Sequence, residues 1–252
     1  MCGIAGILRK DLEFEVTEND IINMLIMLES RGKDATGIAW EDNKRYRVLK
    51  AAVRVNDFID LEVFKKNLPE MVKSKTILFH TRAATNGSPK FNGNNHPIHN
   101  DKGMIIHNGV VYPSEVLPAK GVTDSEQLML SVQKYGFKEG ISKLCGSMAF
   151  SYIDFTDGAV YLYSEISPIC YYIEKGTLIF ASTNLILAKG LGLPSKNIRR
   201  MEENIVYKIE NYQLKRIIKA RGATRYETIY KADYDYDLCN YQSILRRLPY
   251  SY

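Results

Sequence analysis

Apolar residues follow two rhythms along this chain, short near-continuous runs and repeats at every third or fourth position. Gly3 to Leu8 is apolar at every position, which predicts a buried strand. Thr17-Glu18-Asn19-Asp20 sets an N-cap hydroxyl and acidic side chains ahead of Ile21, Ile22, Met24, Leu25, Met27 and Leu28. That order predicts a helix with a broad apolar face, packed on a sheet and ended by Gly32. A strand is expected at 38–40, another at 45–55, and a short helix at 57–67 with Phe58, Leu61 and Phe64 on one side. Strands at 76–79 and 104–107 enclose a polar loop rich in Asn, Gly and Pro, and Asn108-Gly109 is expected to stop the second strand. Thr123-Asp124-Ser125-Glu126 opens a helix that runs to about residue 135. Strands at 147–154, 159–164, 169–173 and 178–182 follow closely, with turns at Asp157-Gly158 and Lys175-Gly176, the spacing of antiparallel neighbours. A helix at 184–190 and strands at 204–210 and 212–218 complete the pattern. Long strands with few amphipathic helices between them predict an α+β protein in which helices cover sheets.

Composition changes that picture little. With 45% hydrophobic and 25% charged residues, the 252-residue chain is ordinary globular material, long enough to bury a sizeable core. Thirty-four basic against 29 acidic residues leave +5, an excess too small and too scattered to point to nucleic acid or a membrane surface. No apolar run approaches the roughly 20 residues of a membrane span, and the N-terminal run is too short and poorly flanked for a signal peptide. Cys2, Cys145, Cys170 and Cys239 show no CxxC or framework spacing, which suits reduced thiols and a cytoplasmic location. The composition shifts beyond Lys219, where seven of the 17 tyrosines lie between Tyr226 and Tyr252. Leu238, Tyr241, Leu245 and Leu248 have helical spacing there. The chain is therefore divided into a domain at 2–218 and a tyrosine-rich extension at 219–252 that caps the domain or docks a partner.

The chemistry begins at Cys2. Removal of Met1, favoured before a small side chain, leaves a thiol and a free α-amine on one residue. A thiolate is the reactive form of cysteine, and an α-amine with an ordinary pKa of about 7.7–8 can take its proton near neutrality. Cys2 equally suits a small apolar filler in a buried strand. An amide hydrolase with such a nucleophile needs donors for the oxyanion, and the Asn108 side-chain amide beside the Gly109 N–H offers two. Read alone, Asn-Gly is also a common hairpin turn. Arg82, with Thr85 three residues on, can grip a carboxylate, and Asp124 can accept from an ammonium group. Each of these also fits a plainer role, a surface arginine and an N-cap aspartate. His80, His96, His99 and His107 fall within 28 residues and raise a metal site as a rival. His96-x-x-His99 sits in a Pro-containing loop with no acid or Cys at ligand spacing, so no metal is assigned. No nucleophile-elbow signature marks a serine triad.

Six blocks occur in one order: Cys2-Gly-Ile-Ala-Gly, Arg31-Gly-x-Asp-x-x-Gly37, His80-Thr-Arg-x-Ala-Thr-x-Gly87, Asn95-His-Pro97, His107-Asn-Gly109 and Thr123-Asp-Ser-Glu126. In this the chain resembles the class II glutamine amidotransferases, such as the glutaminase domains of glucosamine-6-phosphate synthase and amidophosphoribosyltransferase, over roughly residues 2–210. The resemblance implies an N-terminal-nucleophile hydrolase sandwich of two stacked antiparallel β-sheets between helical layers (αββα). It implies that Cys2 is the nucleophile with its own amine as base, and that Asn108 and Gly109 form the oxyanion hole. Arg82, Thr85, Asn86 and Asp124 are then the glutamine-binding residues, Arg82 and Thr85 at the α-carboxylate and Asp124 at the α-ammonium. Arg31 and Asp34 brace the floor of the site, and no cofactor is implied.

Three positions depart from the family pattern. Ala83 stands where relatives often carry Trp or Tyr, Asn86 replaces a His of the aminosugar synthases, and Lys33 takes the place of Pro or a bulky residue. The chain also shows no P-loop, phosphosugar-isomerase domain or pyrophosphatase motif. The expectation is thus a stand-alone glutaminase that makes glutamate and ammonia from L-glutamine and supplies ammonia to a separate synthase chain. Two alternatives remain, an N-terminal-cysteine hydrolase for another γ-glutamyl amide and a non-catalytic scaffold of the same fold.

Overall fold

In a computed structural model that describes residues 1–222 apart from 44 and 122, two antiparallel sheets lie face to face with helices outside both. The tyrosine-rich segment from 223 onward lies outside the described residues. In chain order the first half runs β1 (Gly3–Arg9), α1 (Glu18–Glu29), β2 (Ala35–Asp42), β3 (Arg45–Ala51), α2 (Val55–Ile59), α3 (Glu62–Lys73), β4 (Thr76–Arg82), β5 (Ile98–His99) and β6 (Gly103–Pro113). The second half runs α4 (Asp124–Ser142), β7 (Leu144–Asp154), β8 (Val160–Glu165), β9 (Cys170–Glu174), β10 (Thr177–Ala181), α5 (Asn184–Gly190), β11 (Arg199–Arg200), β12 (Ile205–Glu210) and β13 (Gln213–Lys219). The first sheet has the order β11-β9-β10-β1-β4-β2-β3 and the second β13-β12-β8-β7-β6-β5. This is the αββα sandwich that the resemblance implied. Among the described residues no helix is long and apolar enough to cross a membrane.

Strand alternation assigns the layers. On β1, Ala5 and Ile7 join Met24, Leu25, Phe58, Phe64 and Ile186 beneath α1, α2, α3 and α5. Ile4 and Leu8, on either side of them, face the other way and meet Met104, Ile106, Ala149 and Leu162 of the second sheet. On β6, Ile105 and Val111 turn outward to Leu128, Met129 and Ile141 of α4. Both sheets are thus buried on both faces where they stack, which is why β1 and β4 are buried along their whole length and their stretches Ile4–Leu8 and Ile77–Phe79 read as apolar runs. The same alternation carries Cys2, His80 and Arg82 to the inter-sheet face of the first sheet, and Asn108 to the inter-sheet face of the second.

Helix α1 starts where its sequence says, with the Thr17 hydroxyl accepting from the Asp20 N–H and the Asp20 carboxylate accepting from the Thr17 N–H. Other expectations shift. The strand expected at 45–55 ends at Ala51, and the single helix expected at 57–67 is two, α2 and α3, with Leu61 at the N-cap of the second. Helix α4 continues past 135 to Ser142, bent at Gly136, whose φ of 75° breaks the helical backbone. The four strands from 147 to 182 are not neighbours in one sheet: β7 and β8 pair in the second sheet, β9 and β10 in the first, and the chain crosses at Ile166. Asn108-Gly109 does not turn the chain. It lies mid-strand in β6, paired with Ala149 and Met148 of β7.

Glycines admit the close contacts that hold the catalytic end. A Cβ on Gly32 would lie 2.4 Å from the Arg82 carbonyl carbon, and one on Gly37 would lie 1.9 Å from the His96 carbonyl oxygen. The Arg31–Gly37 block is therefore a packing surface for β4 and for the loop before β5. Gly37→Ala is expected to cost roughly 1–3 kcal/mol, the usual effect of overpacking against atoms that cannot move aside. A urea midpoint equal to that of the unaltered protein would show that the loop gives way freely.

Candidate active site

One pocket opens at the end of the sandwich where β1 begins and β4 ends. Its lining includes Cys2, Arg82, Ala83, Thr85, Asn86, Gly109 and Asp124, together with His96, His107, Thr123 and Ser125. The structure thus brings together Cys2, Arg82, Thr85, Asn86, Gly109 and Asp124, six of the residues singled out from sequence. Asn108 sits beside Gly109, buried, and its side-chain NH2 has no hydrogen-bond partner. A buried donor left unpaired costs about 1–3 kcal/mol, so its retention fits a group held ready for a ligand. Gly109 is glycine for a reason of space: φ is +149°, and a Cβ would meet the Ser147 carbonyl oxygen at 1.9 Å.

Continuing the register of β1 against β4, where Gly3 faces Thr81, places Cys2 opposite Arg82. The Cys2 thiol donates to the Ala83 carbonyl at 3.6 Å. Burial pushes this thiol above its ordinary range, Asp124 adds in the same direction, and the Arg82 guanidinium opposes. The thiol is therefore protonated at neutral pH and needs a base to become a nucleophile. With Met1 in place the Cys2 nitrogen is an amide and cannot serve. Arg31 Nε donates to the Cys2 carbonyl at 2.8 Å, and Asp34 accepts from the Ala84 N–H at 2.8 Å while its own N–H donates to the Arg82 carbonyl at 2.9 Å. Arg31 and Asp34 thus hold the two chain segments that carry Cys2 and Arg82, without lining the pocket.

Arg82 is buried and already well engaged. Nη1 donates to Asn95 Oδ1 at 2.8 Å, and Nη2 to the carbonyls of Asn86 and of Gly87, the latter at 2.9 Å. Of its five donors, Nε–H and one Nη1–H remain for a bound anion. Thr85 is exposed at the rim, and Asn86 carries a buried Nδ2 with no partner. Asp124 begins α4, and its carboxylate accepts from the Val111 N–H at 3.0 Å.

Sequence reasoning assigned no role to His96, His107 and Ser125, which line the pocket, or to Asn95 and Lys50. The first four fall in or beside the matching blocks, so the signal was present but chemically silent. Lys50 carried none. Its ammonium donates to the carbonyls of Asn95 and Pro97 at 2.6 and 2.8 Å, and burial lowers it to about 8. The His96-x-x-His99 pair is split: His96 is buried with its ring stacked on His80 at 4.1 Å, while His99 is exposed on β5. Among the described residues no group of three or more His, Cys, Asp or Glu side chains is arranged to hold a metal ion.

No family model matches the chain. It is 30% identical over 210 residues to glutamine–fructose-6-phosphate aminotransferase (isomerizing) of Lactiplantibacillus plantarum, covering 74% of this chain and 33% of that protein. The same enzyme of Sulfolobus acidocaldarius is 37% identical over 112 residues, 44% of this chain and 18% of the relative. The chain thus spans about a third or less of the length of these curated relatives. Among solved structures, glutamine phosphoribosylpyrophosphate amidotransferase from B. subtilis superposes with a TM-score of 0.66 at 18% identity, over 87% of this chain and 49% of that one. A glutamine aminotransferase class-II domain protein from Silicibacter pomeroyi superposes at 0.54 and 14% identity, over 87% of this chain and all of its own. The chain carries a class II glutamine amidotransferase domain.

In this amidotransferase domain three neutral imidazoles lie at the pocket, His96 and His107 in its lining and His80 behind them. Burial brings His80 down to about 3, and it holds His96 and His107 below the ordinary imidazole range, with nearby positive charge adding to the effect at His80 and His96. The unfolded chain takes up protons on these rings below about pH 6.5 while the folded domain does not, so acid favours unfolding. The contribution of these rings to stability is expected to be flat above about pH 7 and to fall between about pH 6.5 and 3, by up to ~1.4 kcal/mol per pH unit for each ring. Urea midpoints at about pH 7.5, 6.5 and 5.5 measure this. Equal midpoints at the first and last would show that the rings are charged in the folded domain.

Proposed function

We propose that this chain is a glutaminase that hydrolyses L-glutamine to glutamate and ammonia through a thioester on Cys2. The ammonia then passes to a synthase on a separate chain. The observation that carries the reading is the unpaired, buried NH2 of Asn108, placed next to Gly109 on the pocket that holds the Cys2 thiol. In the reaction the Cys2 α-amine, freed by removal of Met1, takes the thiol proton as Sγ attacks the side-chain carbonyl carbon of glutamine. The carbonyl π pair moves to oxygen, where Asn108 Nδ2–H and the Gly109 N–H receive the negative charge. As the C–N bond breaks, the protonated amine returns its proton to the departing nitrogen, which leaves as ammonia. Water then attacks the thioester, the amine again accepts a proton, and as the C–S bond breaks to release glutamate that proton passes to Sγ, which restores the thiol and the free amine. The remaining donors of Arg82, with Thr85 and Asn86, hold the α-carboxylate, and Asp124 accepts from the α-ammonium. Such a thiol suits a reducing compartment such as the cytoplasm.

Activity is expected only from chains that have lost Met1, read by intact mass alongside glutamate release. Full activity with Met1 attached would sink the mechanism, since the base would be absent. Cys2→Ala is expected to retain glutamine binding and lose turnover to below about a thousandth.

Asn108→Ala is expected to lower kcat by roughly 10²–10³ with little change in KM. It should not lower stability, because the deleted donor is a buried group with no partner in the folded protein. Arg82→Ala and Asp124→Ala should instead raise KM steeply, by the equivalent of about 2–5 kcal/mol for a stranded charge. A change confined to KM in Asn108→Ala would remove it from the oxyanion site.

A further inference from the structure

The pocket-lining Ser125 has no role in the chemistry above, yet it is the one hydroxyl between two buried imidazoles. His107 Nδ1 lies 2.9 Å from Ser125 Oγ and His96 Nε2 lies 3.1 Å from it. His80 Nε2 meets the His107 carbonyl at 3.0 Å, and the His80 ring stacks on His96. All of these side chains are buried, at 5% exposure or less.

The number of hydrogens limits the direction of these bonds to two arrangements. A hydroxyl has one hydrogen, so Ser125 donates to one ring and must accept from the other. A carbonyl accepts only, so His80 carries its proton on Nε2. His107 Nε2 and the Ser147 carbonyl oxygen lie on the same side of Gly109, where a Cβ would stand 2.9 Å from the one and 1.9 Å from the other, and the carbonyl favours a proton on that nitrogen. A neutral His107 then presents a lone pair at Nδ1, which takes the Ser125 O–H. Ser125 Oγ in turn accepts from His96 Nε2–H, leaving His96 Nδ1 as a buried lone pair with no partner.

The position of this chain of bonds gives it a consequence. His107 immediately precedes Asn108 and Gly109, and Ser125 immediately follows Asp124. On the far side of the same pair, the Val111 N–H donates to Asp124. The stretch carrying Asn108 and Gly109 is therefore tied to the first turn of α4 at both ends, by Ser125 at residue 107 and by Asp124 at residue 111. We propose that Ser125 is a positioning residue: its hydroxyl, donating to His107 Nδ1 and accepting from His96 Nε2, fixes the backbone that presents the Asn108 and Gly109 donors. The kinetic part rests on the glutaminase reading; the proton arrangement stands apart from it.

Two measurements on the full chain test this. Long-range ¹H–¹⁵N correlation spectra of the ¹⁵N-histidine-labelled protein read the tautomers directly, and His80, His96 and His107 are all expected as neutral Nε2–H rings. An Nδ1–H tautomer or an imidazolium at His96 or His107 near pH 7 would overturn the arrangement. Glutamine turnover reads the positioning. Ser125→Ala and the near-isosteric Ser125→Cys are expected to lower kcat by roughly 10–100-fold, the scale of a small misplacement of catalytic groups, with KM within about threefold. Ser125→Thr, which keeps the hydroxyl, is expected to recover most of the loss. Unchanged kcat in Ser125→Cys, or equal loss in Ser125→Thr and Ser125→Cys, would overturn the positioning role. Should Ser125→Ala fail to fold, the Cys and Thr variants still decide. Absence of Cys2-dependent turnover in the unaltered chain, with the expected tautomers present, would instead overturn the glutaminase reading and leave the proton arrangement standing.

Discussion

The hydrogen bond from His80 Nε2 to the His107 carbonyl ties the two sheets together at their catalytic end. Elsewhere the sheets meet through Ile4, Leu8, Leu78, Met104, Ile106 and their neighbours, contacts that resist separation but tolerate small slides. A directional bond between a side chain on β4 and the backbone of β6 does not tolerate them. It sets Arg82, two residues beyond His80, against Asn108, one residue beyond His107. Because the ring is deeply buried and neutral, it can hold its proton on Nε2 and donate without an accompanying charge to solvate. A positively charged side chain in its place would lie beside Arg82, Lys50 and the His107 ring, all of which disfavour a second positive charge there.

From that joint the remaining constraints follow as a sequence of close contacts. The loop after β4 returns over the site and is fixed from three sides. Arg82 gathers the carbonyls of Asn86 and Gly87 and the side chain of Asn95. Lys50 takes the carbonyls of Asn95 and Pro97, and Gly37 lets the His96 carbonyl approach β2 to a distance that no other residue would allow. The cation that is assigned to the substrate carboxylate is thus also the cation that shapes the loop. Its orientation is set before any ligand arrives, which lowers the ordering cost of binding.

Much of this was legible in the sequence, for identifiable reasons. Strands β1 and β4 announced themselves because both of their faces are buried, and α1 because its capping residues precede a clear apolar stripe. The sheet assignment was not legible. Strands β7 to β10 are evenly spaced in sequence, and nothing in their composition marks Ile166 as the point where the chain leaves one sheet for the other. Asn108-Gly109 was legible as a candidate pair of donors but not as conformation, since the same dipeptide serves tight turns. Only the pairing with Ala149 and Met148 shows that its glycine answers to the Ser147 carbonyl rather than to a turn. Cys2, Arg82, Thr85, Asn86, Gly109 and Asp124 could be gathered from their motifs. Ser125 could not, because a serine in the first turn of a helix is ordinary and its two imidazole partners lie 18 and 29 residues away.

The state of the Cys2 thiol explains why these parts must be so closely set. A cysteine in a pocket that lowered its pKa would be reactive whenever it met an electrophile. Here burial and the nearby Asp124 carboxylate raise it instead, so reactivity depends on a base at the right distance. On the glutaminase reading that base is attached to the same Cα as the thiol, and its reach is fixed by covalent geometry rather than by packing. The fold is then left with one task at this end, to place a carbonyl carbon within reach of Sγ and its oxygen against Asn108 and Gly109. Bonds from Arg82 and Asp124 to the two ends of an amino acid, and from α4 to both ends of the oxyanion segment, are what that task requires. A scaffold with no reaction to perform would gain by satisfying the Asn108 amide, and this one leaves it open.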